Sequence, residues 1–304
     1  MTNVKTLIRI TRAPFFTATI LPVLVGTIIA WSHGFFHWGY FLLALVGTIC
    51  INAGLDMSND YFDHLSGVDE INEELTPFSG GSRVIQDGLL PPRRVLMWSL
   101  SFYLFGIVLG LYLTAARGWG VLVLGLIGVF LAFFHNAPPV RLYYLAPGVG
   151  ELSAGIGCGP VIVLGSYYVQ AQGLSNEALW ASIPIGLLIA AVLYINEFPD
   201  YAADKKVAKK TVVAVVGQAR AAMGYVALLV AAYMILVAGV VLGILPPTLL
   251  LALLTAPLAY RCIQGAMRFH SDIPNLIPTM AGTIQLHLVT GLLVCLGYAL
   301  TRVL

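Results

Sequence analysis

The stretch Trp38-Gly-Tyr-Phe-Leu-Leu-Ala-Leu-Val-Gly-Thr-Ile-Cys-Ile-Asn-Ala-Gly-Leu-Asp56-Met-Ser-Asn59-Asp60-Tyr-Phe-Asp63-His-Leu-Ser-Gly67-Val-Asp69 decides the fold. It begins as an apolar run without a charge and ends as a cluster of acids. About 20 mostly apolar residues in sequence are what a helix needs to cross a bilayer. The stretch therefore reads as a membrane helix near 38–58 that delivers carboxylates to one membrane surface.

The flanking sequence repeats the first half of this pattern. Further apolar runs lie near 14–32, 94–115, 119–135, 148–169, 178–198, 221–243, 246–262 and 280–300. Composition agrees: of 304 residues, 59% are hydrophobic and 10% charged, where soluble domains carry about 25% charged residues. The expectation is an all-α integral membrane protein of about nine transmembrane helices, folded as a single domain over 1–304. The Lys5, Arg9 and Arg12 cluster resembles the start of a signal peptide, but the run from Phe15 to Trp31 reads as an uncleaved first span. The four cysteines all lie in apolar runs and form no C-x-x-C pair, which argues against a disulfide framework or a zinc site.

Orientation follows from positive charge, which accumulates on cytoplasmic connections. With the N-terminus inside, 14 of the 16 Lys and Arg residues fall on cytoplasmic segments, and only Arg117 and Arg302 fall outside. The outer connections are short. The inner ones, above all 58–94 and 199–220, are longer and carry the motifs, so they read as cytoplasmic loops or caps over an opening. A net charge of +2 gives no reason to expect a nucleic-acid partner; the partners expected are the bilayer and an anionic substrate. A prokaryotic inner membrane is the expected location.

The chemistry is carried by two motifs. On a helix, Asp56, Asn59, Asp60 and Asp63 share an arc of roughly 100°, and Asn196, Asp200 and Asp204 share roughly 80°. Asn59-x-x-x-Asp63 recurs as Asn196-x-x-x-Asp200, a weak internal repeat that would set the two stripes face to face. Opposed carboxylate stripes are rows of hard oxygen ligands, suited to Mg2+ that bridges a few carboxylates to substrate phosphates. Basic residues accompany them: Arg83 after Gly80-Gly81, Arg141, and Lys205, Lys206, Lys209 and Lys210 after Asp204. These would clamp a diphosphate. Glu70, Glu73, Glu74 and Glu197 read as solvated. A secondary transporter or divalent-cation carrier is the rival reading, but its acids belong near the bilayer midplane rather than at one surface.

Taken together, the motifs resemble the UbiA superfamily of intramembrane prenyltransferases, and within it the 1,4-dihydroxy-2-naphthoate polyprenyltransferases of menaquinone biosynthesis. The likeness rests on Asn59-Asp60-Tyr61-Phe62-Asp63 with Gly67-Val68-Asp69, and on Asp200-Tyr-Ala-Ala-Asp204 with Lys209-Lys210-Thr211. It extends to Arg12-Ala-Pro-Phe, Gly81-Ser-Arg83-Val84, and Ala137-Pro138-Pro139-Val-Arg141-Leu before Gly150-Glu151. The resemblance implies nine helices around a central cavity open near the cytoplasmic face. It implies magnesium-dependent ionisation of a polyprenyl diphosphate, such as geranylgeranyl diphosphate, and attack by a small aromatic acceptor. By the same likeness Asn59, Asp63, Asp200 and Asp204 are the principal metal or diphosphate ligands, assisted by Asp60, Asp69 and Asn196. Arg83, Arg141, Lys209 and Lys210 contact diphosphate, and Tyr143 or Tyr144 stabilises the allylic cation. Homogentisate, hydroxybenzoate, porphyrin and glycerol-lipid acceptors stay open beside the naphthoate.

Overall fold

A computed structural model describes residues 4–303. The ends of the domain expected over 1–304 therefore lie outside the described residues. Among the described residues every regular element is helical and there is no strand. The apolar runs become α1 (Thr17–Ser32), α2 (Trp38–Ser66), α3 (Pro92–Arg117), α4 (Trp119–Phe133), α5 (Val149–Ala171), α6 (Asn176–Lys206), α7 (Gln218–Val241), α8 (Pro247–Phe269) and α9 (Ile273–Val303). Seven of these are long and apolar enough to cross a membrane by themselves; α1 and α4 are shorter. The 16 residues of α1 span about 24 Å, and the 3-10 turn Ala13–Phe16 extends it at its N-terminal end.

The bundle wears its apolar residues outward as well as inward. Met97, Leu104 and Leu126, on α3 and α4, are each more than 60% exposed. Contiguous apolar surface of that kind requires lipid rather than water, as expected of a multi-pass membrane protein. Burial is greatest along α6, where 72% of the most apolar window is enclosed against 22% in α3. Close approach of helices permits this. A Cβ on Gly186 of α6 would lie 2.4 Å from the Gly155 carbonyl oxygen of α5, so only glycine lets the two backbones meet.

The connections sort to two ends. At one, Arg117 donates to the carbonyls of Val169 and Gln170, both at 2.7 Å, and the His37 N–H donates to the Gln170 side chain at 2.7 Å. Arg302, near the end of α9, reaches the Trp31 carbonyl at this same end. These ties join the α1–α2, α3–α4 and α5–α6 connections. The motif-bearing connections lie at the opposite end.

Both motif helices run further than the hydropathy profile suggests. α2 continues to Ser66 and α6 to Lys206, so irregular chain begins at 67 and 207 rather than at 58 and 199. Pro199 does not end α6. It removes one backbone donor, and burial of Ile195 and Phe198 before it and of Ala203 after it holds the helix through. The drop in hydropathy marks where the helices become polar, not where they stop.

Candidate active site

The last turns of α2 carry the first acidic stripe. Asn59 Nδ2 donates to Asp63 Oδ2 at 3.0 Å. Asn136, in the α4–α5 connection, donates to Asp63 Oδ1 at 2.9 Å and also to the side-chain oxygen Oδ1 of Asn59. Asp60 points elsewhere. It pairs with the Arg12 guanidinium and accepts the Ser82 N–H at 3.2 Å, while its second oxygen is buried without a partner. Past α2, Gly67 turns the chain with φ +77° and the short helix Val68–Ile71 sets Asp69 beside the stripe. Arg83 Nη1 holds the Asp69 carbonyl at 2.5 Å. Gly81, at φ +74°, passes so near that a Cβ there would sit 2.8 Å from Asp69 Oδ2. Burial pushes the Asp69 carboxyl up to about 8, and the charges of Asp63 and Asp60 push the same way.

The second stripe sits on the last turns of α6. Asn72, from the loop after α2, donates to Asp200 Oδ1 at 2.7 Å, and Thr211 donates to Asp204 Oδ2 at 3.3 Å. Asn196 is buried with its side-chain oxygen unpaired. Between the stripes stands Lys209, its ammonium 3.4 Å from both oxygens of Asp63 and 3.9 Å from Asp204 Oδ1. Burial opposes its charge, but Asp63 and Asp204 outweigh that and hold the ammonium well above the usual lysine range. The fixed cation thus sits between carboxylates of the two stripes.

Lys209 also stands over the Tyr143 ring, 4.9 Å from its centroid. Tyr143 is buried and donates to Glu197 Oε1 at 3.1 Å. Burial, reinforced by Glu197, raises its phenol far above the usual range, so it stays neutral. His135 packs its ring 4.4 Å from that of Tyr143 and hydrogen-bonds Ser153 at 3.2 Å. Burial, with Lys209 nearby, lowers its imidazole to about 3, so it too is uncharged at neutral pH.

These groups stand at the polar mouth of a cavity of about 480 Å³. Asn59, Asp63, Asp69, Asn196, Asp200, Asp204, Tyr143 and Lys209 all line it, and its deeper wall is apolar, built from residues such as Leu43, Ile51, Leu122 and Val129. Asp60, Arg83, Arg141, Tyr144 and Lys210 do not line it. Arg83 instead braces the Asp69 turn. Arg141, at φ +49°, turns its guanidinium toward the Tyr144 ring at 5.5 Å. Lys210 ties down the Tyr143 segment, its N–H donating to the Tyr143 carbonyl at 2.7 Å and its ammonium to the Leu145 carbonyl at 3.1 Å.

The expectation that Glu197 is solvated is corrected: it is 4% exposed and bonded to Tyr143. It follows Asn196 in the stretch from Tyr194 to Pro199, where every residue is buried, so charge alone misplaces it. Glu70, Glu73 and Glu74 are exposed as expected. Arg12, Asn72 and Asn136 went unnoticed as site residues. Arg12 and Asn136 had a signal, in Arg12-Ala-Pro-Phe and in the position next to Ala137-Pro138-Pro139; Asn72 had none.

The donor set suits a hard divalent cation. Carboxylates and amide oxygens from two walls converge on the mouth, and the buried side-chain oxygen of Asn196, which lines it, lacks a partner. Among the described residues no three His, Cys, Asp or Glu side chains already form a metal cage.

Residues 19–272 match the model of the UbiA prenyltransferase family. The chain is 28% identical to the 1,4-dihydroxy-2-naphthoate octaprenyltransferase of Bacillus subtilis, covering 95% of this chain and 90% of that one. It is 31% identical to the enzyme of the same name from Mycobacterium tuberculosis, covering 87% and 86%. In fold it is similar to a UbiA homolog from Archaeoglobus fulgidus solved with GPP and Mg2+, with a TM-score of 0.65 at 16% identity over 95% of this chain and 99% of that one. An arrangement of two acid-bearing helix ends over an apolar chamber thus comes with a family match across most of its length: the chain belongs to the UbiA prenyltransferase family.

Proposed function

We propose that the protein transfers a polyprenyl group from its diphosphate to 1,4-dihydroxy-2-naphthoate, with Mg2+ held between the two stripes. The observation that carries this reading is the pair of acidic helix ends facing each other across Lys209 at the mouth of an apolar chamber. The naphthoate acceptor is supported by the relatives that carry that activity in their names. In this reading α1 and α4 cross the bilayer with the seven longer helices, making nine spans in one domain over 1–304. The motif end, including the connections within 58–94 and 199–220, faces the cytoplasm of a prokaryotic inner membrane, and so does the N-terminus. The bias of Lys and Arg toward that end supports this orientation.

Asn59, Asp63, Asp200 and Asp204 hold the metal, with Asp69 and Asn196 beside them and Asp60 reserved to Arg12. Magnesium, when bound, supplies positive charge against the diphosphate leaving group. Lys209 adds a fixed ammonium at the same place. Asn136 orients Asp63 by donating to it and leaves its outer lone pairs to ligands. Tyr143, neutral and held by Glu197, presents an aromatic face where an allylic cation forms. The apolar wall takes the isoprenoid tail and excludes water from the cation. The C–O bond to diphosphate breaks to give the allylic cation, the naphthoate ring carbon that bears the carboxylate then forms the new bond to the prenyl carbon, and carbon dioxide leaves with its bonding electrons returned to the ring.

Arg83, Arg141 and Lys210 act in this reading by fixing the loops that carry Asp69 and Tyr143. Asp63→Asn and Asp200→Asn are the test. Each is expected to abolish magnesium-dependent turnover of geranylgeranyl diphosphate while the protein still inserts and folds. Normal turnover in either variant contradicts the assignment of the metal site.

A further inference from the structure

One polar feature of the cavity has no part in the chemistry above. Asp56 and Asn52 lie on α2, about 4.5 and 10.5 Å deeper along the helix axis than Asn59 at 1.5 Å per residue. Both line the cavity, between the apolar side chains of Ile51 and Leu55. Asn52 Nδ2 donates to Asp56 Oδ2 at 3.1 Å. The other Asp56 oxygen has no hydrogen bond among the described residues, although Asp56 is only 8% exposed. A carboxylate oxygen that opens only onto a largely apolar cavity and has no donor there is costly, and it calls for a donor from whatever fills the space.

The substrates proposed above offer three kinds of surface. An isoprenoid tail has no polar hydrogen. A diphosphate is an acceptor-rich anion, which a carboxylate repels, and so is the carboxylate edge of a naphthoate. Only the ring hydroxyls of the acceptor bring an O–H donor. We infer that Asn52 and Asp56 form the subsite that recognises a ring hydroxyl of the aromatic acceptor, with Asp56 accepting its proton-bearing edge and Asn52 fixing the carboxylate. This assignment rests on the aromatic-acceptor reading given above. Asp56 is thereby a specificity-determining residue: the site favours hydroxylated rings and penalises those whose hydroxyl is masked, because a masked hydroxyl leaves the buried oxygen unpaired.

The test pairs a change in the protein with a change in the ligand. Purified protein is assayed with Mg2+, geranylgeranyl diphosphate, and either 1,4-dihydroxy-2-naphthoate or its derivatives with one hydroxyl methylated. A hydrogen bond to a charged partner is worth roughly 10- to 100-fold. Wild type is expected to prefer the free hydroxyl over the better of the methyl ethers by that factor in kcat/KM. Asp56→Ala is expected to lose most of the preference, with KM for the diphosphate and the Mg2+ dependence unchanged. Asp56→Asn, nearly isosteric, is expected to keep part of it and carries the test where the alanine variant does not fold. Retention of the full preference in these variants overturns the inference. So does a raised Mg2+ requirement, which would make Asp56 a metal ligand. A wild-type protein that prenylates no aromatic acceptor overturns the acceptor reading and this inference together; an active wild type with either preceding result overturns the inference alone.

Discussion

Lys209 is where the two acidic stripes close on each other. Its ammonium lies within 3.4 Å of Asp63 and 3.9 Å of Asp204, and without it the carboxylates face one another across an enclosed space. Lys209→Met is expected to lower kcat by about 10²-fold, in line with removal of one preorganised electrostatic group, and to raise the KM for the diphosphate more than that for the acceptor. Steady-state kinetics with each substrate varied in turn checks this, and an effect confined to the acceptor would contradict it. Arg12 plays a different part. It neutralises Asp60, which is buried and keeps one oxygen unpaired. Arg12→Met strands that carboxylate, and breaking a buried pair in this way costs about 3–5 kcal/mol. A lower thermal unfolding midpoint in detergent is the expected result, partly restored in the double variant Arg12→Met/Asp60→Asn. A double variant no more stable than the single one would contradict this account of the pair.

Among the elements, the loop after α2 carries a buried acid that makes it sensitive to pH. Its Asp69 has a carboxyl pushed from 3.8 to about 8 by burial and by Asp63 and Asp60. The folded protein thus keeps a proton that the unfolded chain releases across this range. The corresponding stability is fully present below pH 3.8 and is lost as pH rises toward 8. The thermal midpoint of ligand-free protein is expected to fall between pH 6 and pH 8.5, and Asp69→Asn to flatten that slope. A midpoint that rises over this interval, or a slope unchanged in Asp69→Asn, would contradict the assignment. At the α5–α6 crossing, Gly186→Ala places a methyl against the Gly155 carbonyl, 2.4 Å away. Overpacking of this kind costs about 1–3 kcal/mol, read as reduced yield and stability with the motif residues untouched.

The helices themselves were legible in the sequence because lipid imposes one rule on every span: about 20 apolar residues in a row. Each apolar run found its helix. The two acidic stripes were legible because helical spacing fixes which side chains share a face. Their supports were not. Asn72, Asn136 and Arg12 reach the site from segments distant in sequence, and no local pattern marks a residue whose role depends on what the fold brings opposite it. Glu197 was misplaced for the same reason, since a charged residue next to a motif reads as solvated until α6 is known to be enclosed on all sides from Tyr194 to Pro199. Three of the basic residues beside the motifs, Arg83, Arg141 and Lys210, bind backbone or ring and do not reach the cavity.

At the scale of the whole molecule, the fold separates three environments. The outer belt is apolar and suits lipid, the far end is a tight set of connections, and the motif end gathers the buried polar side chains around the cavity mouth. An apolar chamber reached through a ring of acids fits a substrate with an isoprenoid body and a diphosphate head, because each part of the ligand meets a wall of its own chemistry. A transporter would need a second exit for its cargo at the far end, where Arg117, His37 and Gln170 are locked together. The measurement that bears hardest on this account is product formation by the purified protein with geranylgeranyl diphosphate and 1,4-dihydroxy-2-naphthoate, with and without Mg2+. The expected result is a prenylated naphthoquinol and released diphosphate, both dependent on Mg2+. Movement of substrate across liposomes with no product from any acceptor would contradict it.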